Sequence, residues 1–340
     1  MNATDDSQQP EKRLFRVMSG PHLRSPRSID KAMFMVILML MLPAIGAIYY
    51  FGIYVLFIIL TAILSAVITE YVAKRLRKRK FYFDGSAVLT GLLLAMVLPP
   101  RVPLWMVVIG AAFSIAIVKE AFGGLGHNIF NPALAGRAFL TVSFTGLMTR
   151  WVLPITTGND AVAGASPLSG SFVWEGPTQE LYRALLFGNV GGSLGETSAL
   201  LILIGGLILL IIGIINWRIP VFYIGTVFLF TWLLPGQDPV FHILAGGLFL
   251  GAFFMATDYV TVPLTNTGKM IFAASCGFLT VAIRVYGGMP EGVAFSILIM
   301  NGFTPLIDRY TVPKPLGYMK PKPKEKEKKS KDAPEKGDTA

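Results

Sequence analysis

Residues 32–73 read AMFMVILMLMLPAIGAIYYFGIYVLFIILTAILSAVITEYVA, two long apolar stretches that meet near Gly52, and the basic run KRLRKRK follows at 74–80. A helix needs about 20 mostly apolar residues to cross the hydrocarbon core of a bilayer. Each stretch is long enough for one crossing. The segment therefore predicts a pair of transmembrane helices that ends in a charged segment outside the bilayer.

The same criterion, applied outward from this pair, predicts ten spans and an all-α polytopic membrane protein. With 53% hydrophobic and only 15% charged residues in a chain of 340, the composition excludes an ordinary soluble domain. The spans are 32–50, 53–73, 86–98, 104–122, 132–148, 198–215, 219–234, 239–256, 270–286 and 292–306.

Lysine and arginine are distributed unevenly around these spans. If the chain begins in the cytoplasm, the basic run and the lysine-rich tail fall inside, whereas only Arg101, Arg150 and Arg183 fall outside. This is the positive-inside pattern, and it places both termini in the cytoplasm. The net charge of +10 is therefore interpreted as an orientation signal, and nucleic acid is rejected as a partner.

The spans divide the chain into five segments. They are a cytoplasmic segment (1–31), a first membrane half (32–148), an extracytoplasmic loop (149–197), a second membrane half (198–312) and a disordered basic cytoplasmic tail (313–340). Five spans on each side of the loop suggest two inverted five-helix repeats.

Two interruptions within the spans are candidate binding sites. The segment 123–132 (GGLGHNIFNP) contains Asn128 and Asn131, and the second interruption, 257–268, contains Asp258 at a span end. Non-helical backbone at membrane depth survives only when it is buried in protein or lines a cavity. The alternative for the first interruption is a tight cytoplasmic turn with an asparagine cap before proline.

Two arginines lie inside apolar runs, where a charge normally faces a partner or an anionic ligand. Arg137 and Arg284 could each hold a phosphate or a flavin carbonyl, or could pair with an acid for structure. We expect Lys119 and Glu120 to be a solvated pair at a helix end, and His242 to be a core histidine with a hydrogen-bond partner.

One cysteine and three histidines do not provide a cysteine- or histidine-rich metal site, so no metal site is predicted. Any redox chemistry must then come from an organic cofactor or a partner. The run DAVAGASPL at 160–168 places a carboxylate, Asp160, six residues before a hydroxyl, Ser166. Gly164 and Ala165 between them allow close approach of the backbone, although turns rich in glycine and serine look similar.

This run resembles a flavinylation motif, Asp-x-x-Ser/Thr-Gly-Ala-Thr/Ser, whose last hydroxyl receives FMN from a flavin transferase that uses FAD. Nearly the whole chain resembles the D-subunit family of the Rnf complexes, which is related to the B subunit of the sodium-pumping NADH:quinone oxidoreductase. Two residues depart from the common motif: Ser166 replaces threonine, and Ala163 replaces serine or threonine. The other matching segments are 19–25 (SGPHLRS), 84–100, 122–137, 254–261 and 284–293.

The resemblance implies an electron-relay subunit of a prokaryotic inner-membrane complex that passes electrons from ferredoxin to NAD and exports Na⁺ or H⁺. It implies covalent FMN at Ser166, with Asp160, Gly164 and Ala165 beside it, and a second, non-covalent flavin (riboflavin or FMN). The candidates for the second flavin are Asn128, Asn131, Arg137 and Asp258. Ferredoxin and NAD would bind partner subunits, since this chain lacks a nucleotide-binding fingerprint.

Three alternatives remain open at this point. The chain could be the B-type subunit of the quinone-reducing relative, a secondary transporter without a redox group, or a scaffold that holds redox partners. Broken helices in inverted repeats are also typical of transporters. A covalent flavin would argue against the last two.

Overall fold

Helices dominate the computed structural model, which describes residues 28–154, 163–164, 166–169, 172, 174, 176–287 and 291–313. The predicted cytoplasmic segment up to residue 27, the tail from residue 314, and the candidate residues Asp160 and Ala165 lie outside the described residues.

Helical segments coincide with each of the ten apolar runs. The helices are α1 (Ile29–Phe51), α2 (Tyr54–Leu76), α3 (Ser86–Met96), α4 (Leu104–Phe113), α5 (Pro132–Ser143), α6 (Thr145–Met148), α7 (Thr178–Phe187), α8 (Ala199–Ile212), α9 (Arg218–Leu233), α10 (Pro239–Leu244), α11 (Leu248–Leu250), α12 (Asn266–Tyr286) and α13 (Val293–Thr311). Within the described ranges, α1, α2 and α12 are long and apolar enough to cross a membrane. The complete set of ten crossings stays a prediction.

Short irregular elements connect these helices. A π-helical turn, Ser114–Glu120, extends α4, and a second, Gly251–Met255, extends α11. In the 149–197 loop, β1 (Trp151–Val152) pairs antiparallel with β2 (Ala163–Gly164), and Trp151 lies opposite Gly164. The loop also contains α7, which was not predicted from the sequence.

The helix starts follow local chemistry. The Asn131 side chain accepts from the backbone N–H groups of Ala133 and Leu134, and Pro132 occupies the first turn of α5. The Thr265 side chain accepts from Gly268 N at the start of α12. Both caps satisfy N–H groups that have no partner within the helix.

Glycine allows α2 and α3 to pack with their backbones almost in contact. A Cβ atom added to Gly91 would lie 2.7 Å from the carbonyl oxygen of Ala62 and 2.8 Å from the Cα of Ile63. Helix interfaces in membranes commonly use small residues in this way, because close approach increases dispersion contacts. Any side chain at residue 91 must therefore separate the two helices.

Gly91→Ala is expected to destabilise the protein by about 1–3 kcal/mol, because the added methyl group meets backbone that cannot rotate away. The measurement is the unfolding midpoint of the purified protein in detergent. Gly225→Ala in α9 is the matched control, since a Cβ there meets nothing within 4 Å and alanine favours helix. An equal effect of the two substitutions would contradict the close packing.

Candidate functional site

The two interrupted segments meet in the interior of the bundle. Helix is absent at 121–131 and again at 256–265, close to the predicted interruptions. Asn131 Nδ2 donates to the carbonyl oxygen of Met255 at 3.2 Å. Asn301 of α13 accepts from Asn131 N at 3.2 Å and donates through Nδ2 to Thr261 O, also at 3.2 Å. One buried asparagine therefore joins both interruptions.

A cavity lies between these segments and contains three of the four residues predicted for a non-covalent ligand. Asn128, Asn131 and Asp258 all line it. Its other polar lining residues are Ser86, Thr90, Lys119, Thr257 and Tyr259, and its remaining walls are largely apolar, including Phe253 and Phe254. An apolar cleft with a few convergent polar groups is the usual form of a small-molecule site.

The three predicted residues differ in what they can offer a ligand. Asn131 uses both polar atoms of its side chain within the protein, because its oxygen caps α5 and its nitrogen donates to Met255 O. This is the asparagine cap of the alternative interpretation, here placed against a cavity. Asn128 donates to Phe130 O at 3.1 Å. Asp258 accepts from Val260 N at 3.5 Å and Thr261 Oγ1 at 3.3 Å, which leaves acceptor capacity on both carboxylate oxygens.

Lys119 is buried, and the expectation of a solvated Lys119–Glu120 pair was wrong. The exposed fraction of both residues is 2%. Lys119 Nζ lies 2.9 Å from Glu70 Oε1 and 2.5 Å from Ser86 Oγ. Glu120 instead pairs with Arg77, at 3.6 Å. The π-helical turn carries both residues inward, against partners on α2 and α3.

Asp84 supports the start of α3 beside this network. Its Oδ1 accepts from Ser86 N at 2.9 Å and from Ser86 Oγ at 2.5 Å. Burial by itself raises the pKa of Asp84, but the hydrogen bonds from Ser86 and the charges of Lys119 and Lys74 outweigh it and hold the pKa below its ordinary value of 3.8. The folded state therefore favours the ionised carboxylate.

Asp84→Asn is expected to destabilise the protein at neutral pH, with a smaller difference from wild type in acid. Because the pKa is lowered on folding, the stabilisation by Asp84 is present above the ordinary aspartate pKa and is lost as the pH falls through the folded-state pKa. Unfolding midpoints of wild type and Asp84→Asn, measured from neutral pH down into acid, test the effect. A difference that grows towards low pH would contradict it.

Arg137 does not line the cavity, so the structure separates it from the other three predicted residues. It is buried and lies between two acids, Glu196 and Glu291. Its Nη1 is 3.9 Å from Glu196 Oε1, and its Nη2 contacts Glu291 Oε2. This arrangement matches the alternative in which Arg137 pairs with acids.

Arg284 binds backbone carbonyl groups at the end of α10. Nη1 donates to His242 O at 2.5 Å and Nη2 to Ala245 O at 3.1 Å, which satisfies acceptors that α10 leaves unpaired. His242 is buried and bonds Gln237 Oε1 through Nε2 at 2.7 Å, whereas its Nδ1 makes no hydrogen bond within the described part of the chain.

In the 149–197 loop, Ser166 is buried and its hydroxyl is unused. The exposed fraction of Ser166 is 1%, and Oγ has no hydrogen-bond partner among the described residues. Its carbonyl oxygen accepts from Ser169 N at 2.8 Å and Ser169 Oγ at 2.7 Å, which forms a tight turn. Gly164, two residues earlier, lies in β2. An unpaired buried hydroxyl is unusual in a native structure.

Several residues at these sites were not predicted from the sequence. Phe172 and Trp174, which follow Ser166 in the same loop, stack with ring centroids 6.5 Å apart and an interplanar angle of 21°. Glu196 and Glu291 pair with Arg137, and Asn301 bridges the interruptions. Asn301 could have been found from its own signal, since an amide inside an apolar run needs a partner.

Comparison with protein families matches residues 16–317 to the NQR2, RnfD, RnfE family. The match covers both membrane halves and the 149–197 loop between them.

Curated relatives agree with this match over nearly their full lengths. The D subunit of the proton-translocating ferredoxin:NAD(+) oxidoreductase complex of Clostridium ljungdahlii is 48% identical over 325 residues, 91% of this chain and 98% of the relative. The D subunit of the Na(+)-translocating complex of Acetobacterium woodii is 47% identical, over 90% of this chain and 96% of the relative. The D subunit of the ion-translocating oxidoreductase complex of Stutzerimonas stutzeri is 40% identical, over 85% and 92%.

Proposed function

This chain belongs to the NQR2, RnfD, RnfE family, and on that premise we propose that it is the electron-relay subunit of an ion-translocating ferredoxin:NAD oxidoreductase complex. It spans the cell membrane ten times, with both termini in the cytoplasm and the 149–197 loop outside. Relatives of almost equal identity are named for proton and for sodium translocation, so the exported ion is Na⁺ or H⁺.

The unpaired Ser166 hydroxyl carries the proposal. It occupies the last position of the flavinylation motif and is buried without a hydrogen bond in the described structure. A free nucleophilic oxygen fits a covalently attached FMN. The stacked rings of Phe172 and Trp174 provide an apolar, planar surface in the same loop, which suits an aromatic ring system.

In maturation, a flavin transferase would transfer the FMN group of FAD to the Ser166 oxygen. The pyrophosphate bond of FAD would be exchanged for an O–P bond at Ser166, with release of AMP and of the hydroxyl proton. Because Ser166 is 1% exposed, the loop must expose this residue to the transferase before it packs. Attached flavin supplies reversible uptake of electrons at a fixed position.

The cavity between the interruptions is the proposed site of a second, non-covalent flavin. Asn128 and Asp258 offer hydrogen-bonding groups, and Phe253 and Phe254 form part of the apolar wall. Asn131 positions these groups, because it holds both interruptions together. Lys119 also lines the cavity, where its ammonium group is paired with Glu70 and donates to Ser86 Oγ.

Ferredoxin and NAD bind other subunits of the complex, which are the partners of this chain. The relatives are named as subunits of such complexes. The role of this chain is to hold electron carriers in the membrane between them and to couple their reduction to ion export.

Ser166→Ala tests the covalent flavin directly. Wild-type protein, produced with an active transferase and denatured on a gel, is expected to fluoresce under ultraviolet light, and Ser166→Ala is expected to lose that fluorescence. Ser169→Ala, a hydroxyl in the same turn, is the control and should keep it, as should Ser166→Thr. A wild-type band without fluorescence would favour a secondary transporter or a scaffold.

A further inference from the structure

Glu196 and Glu291 approach Arg137 from two segments that are distant in sequence. Glu196 ends the 3-10 turn Leu194–Glu196, whereas Glu291 lies two residues before the start of α13. The side chain of Glu196 is 5% exposed and that of Arg137 8%. Two carboxylates therefore share one guanidinium group in the interior of the bundle.

The Glu196 carboxylate has few close hydrogen bonds. Its Oε2 accepts only a long hydrogen bond from Ser193 N, at 3.4 Å. Its Oε1 has no hydrogen-bond donor among the described residues and lies 3.9 Å from Arg137 Nη1. A buried charge without close hydrogen bonds is costly unless a proton or a cation neutralises it.

The two arginines near Glu196, Arg137 and Arg284, each have closer partners than Glu196. Arg137 Nη2 contacts Glu291 Oε2, while Oε1 of Glu291 is also unpaired within the described chain. Arg284 uses Nη1, Nη2 and Nε on the carbonyl oxygens of His242, Ala245 and Glu291. Arg137, Glu196 and Glu291 line a small cavity, and its other lining residues, Gly247 among them, carry no charge. A Cβ at Gly247 would lie 3.0 Å from Glu196 Oε1.

A second cavity connects this cluster with the 149–197 loop. Arg137 and Glu291 line one part of it, and Thr149 and Trp151 line another. Thr141, Thr145 and Thr149 also line it, each donating its hydroxyl to the carbonyl four residues earlier at 2.8–3.0 Å. A hydroxyl that donates in this way keeps lone pairs for water or a cation. Trp151 pairs with Gly164, two residues before Ser166.

We propose that Glu196, together with Glu291, binds one exchangeable monovalent cation, H⁺ or Na⁺, and that the threonine-lined cavity connects this site with the flavin-bearing loop. The assignment deepens the proposed function and rests on it for the site's role in ion export. Cation binding itself follows from the unpaired carboxylate oxygens and their burial.

The test uses the complete purified complex and infrared difference spectroscopy of carboxyl groups. NaCl is exchanged for choline chloride at constant ionic strength in one series, and pH is varied without sodium in the other. The variants are Glu196→Gln, Glu291→Gln and the charge-preserving Glu196→Asp. Glu180→Gln, an exposed acid of α7 in the same loop, is the control.

For a Na⁺ site, wild type and Glu180→Gln show a sodium-induced carboxylate band whose apparent affinity falls on the order of tenfold or more in Glu196→Gln. For an H⁺ site, a protonated-carboxyl band titrates with pH in the first two proteins and disappears in Glu196→Gln. If Glu196→Gln does not assemble, the same losses in Glu291→Gln and retention in Glu196→Asp support the proposal.

The assignment is overturned if wild type shows neither band. It is also overturned if the bands persist unchanged in Glu196→Gln, or in Glu291→Gln where Glu196→Gln does not assemble. Gel fluorescence of the same samples keeps the two proposals apart. A wild-type protein without covalent flavin contradicts the proposed electron relay, and the carboxyl bands then test the cation site by themselves. A fluorescent wild-type protein without carboxyl bands contradicts the cation site alone.

Discussion

Replacing Arg137 by methionine is expected to lower the free energy of unfolding by about 3–5 kcal/mol. The guanidinium group lies between Glu196 and Glu291 and is itself buried. Methionine fills much of the same volume, so the loss comes mainly from two carboxylates left without their counter-charge in a buried position. Unfolding curves of the purified chain in detergent provide the measurement.

Two further variants separate charge from packing in this experiment. Arg137→Met combined with Glu291→Gln should recover part of the loss, because it removes one of the unpaired charges. Arg101→Met, at an exposed arginine, should change stability little. A loss below about 1 kcal/mol in Arg137→Met would mean that water solvates the carboxylates and that the site is not dry.

Replacing Asn128 or Asp258 by leucine is expected to remove the non-covalent flavin. Both residues line the cavity between the interruptions and retain hydrogen-bonding capacity for a ligand. Loss of these polar contacts should weaken flavin binding on the order of tenfold or more. Acid precipitation measures the effect, because it releases non-covalent flavin into the supernatant and leaves covalent flavin in the pellet.

Asn216→Leu is the control for these variants. Asn216 accepts from Arg218 N and does not line the cavity. The pellet flavin should remain constant in all three proteins. If the amount of flavin in the supernatant is the same in wild type and in both cavity variants, the second flavin does not bind in this cavity.

The sequence predicted the interruptions well because their causes are local. Glycine, proline and a capping asparagine act within a few residues of their own position, and Asn131 caps α5 as its position before Pro132 indicates. The run that resembles a flavinylation motif is also contiguous, so Ser166 could be singled out without a structure.

Pairing of distant charges could not be predicted in the same way. Lys119 meets Glu70, which lies 49 residues away in sequence, and Arg137 meets acids from two separate segments. A hydropathy profile places such residues at a depth but does not show which partner faces them. For this reason the sequence placed Arg137 in one site with Asn128, Asn131 and Asp258, whereas the structure places it outside their cavity.

The apolar runs also did not show which predicted spans are interrupted helices. Apolar runs such as 239–256 predicted single crossings, whereas the chain there forms α10, α11 and a π-helical turn. Interrupted helices are tolerated because neighbouring segments satisfy their free backbone groups. Arg284 does this for α10 through His242 O and Ala245 O.

The intact mass of the purified chain tests the central claim most directly. Produced with an active flavin transferase, the wild-type chain should be heavier than its sequence mass by one FMN less one water, and Ser166→Ala should have the sequence mass alone. A wild-type chain of unmodified mass under the same conditions would contradict the proposed electron relay.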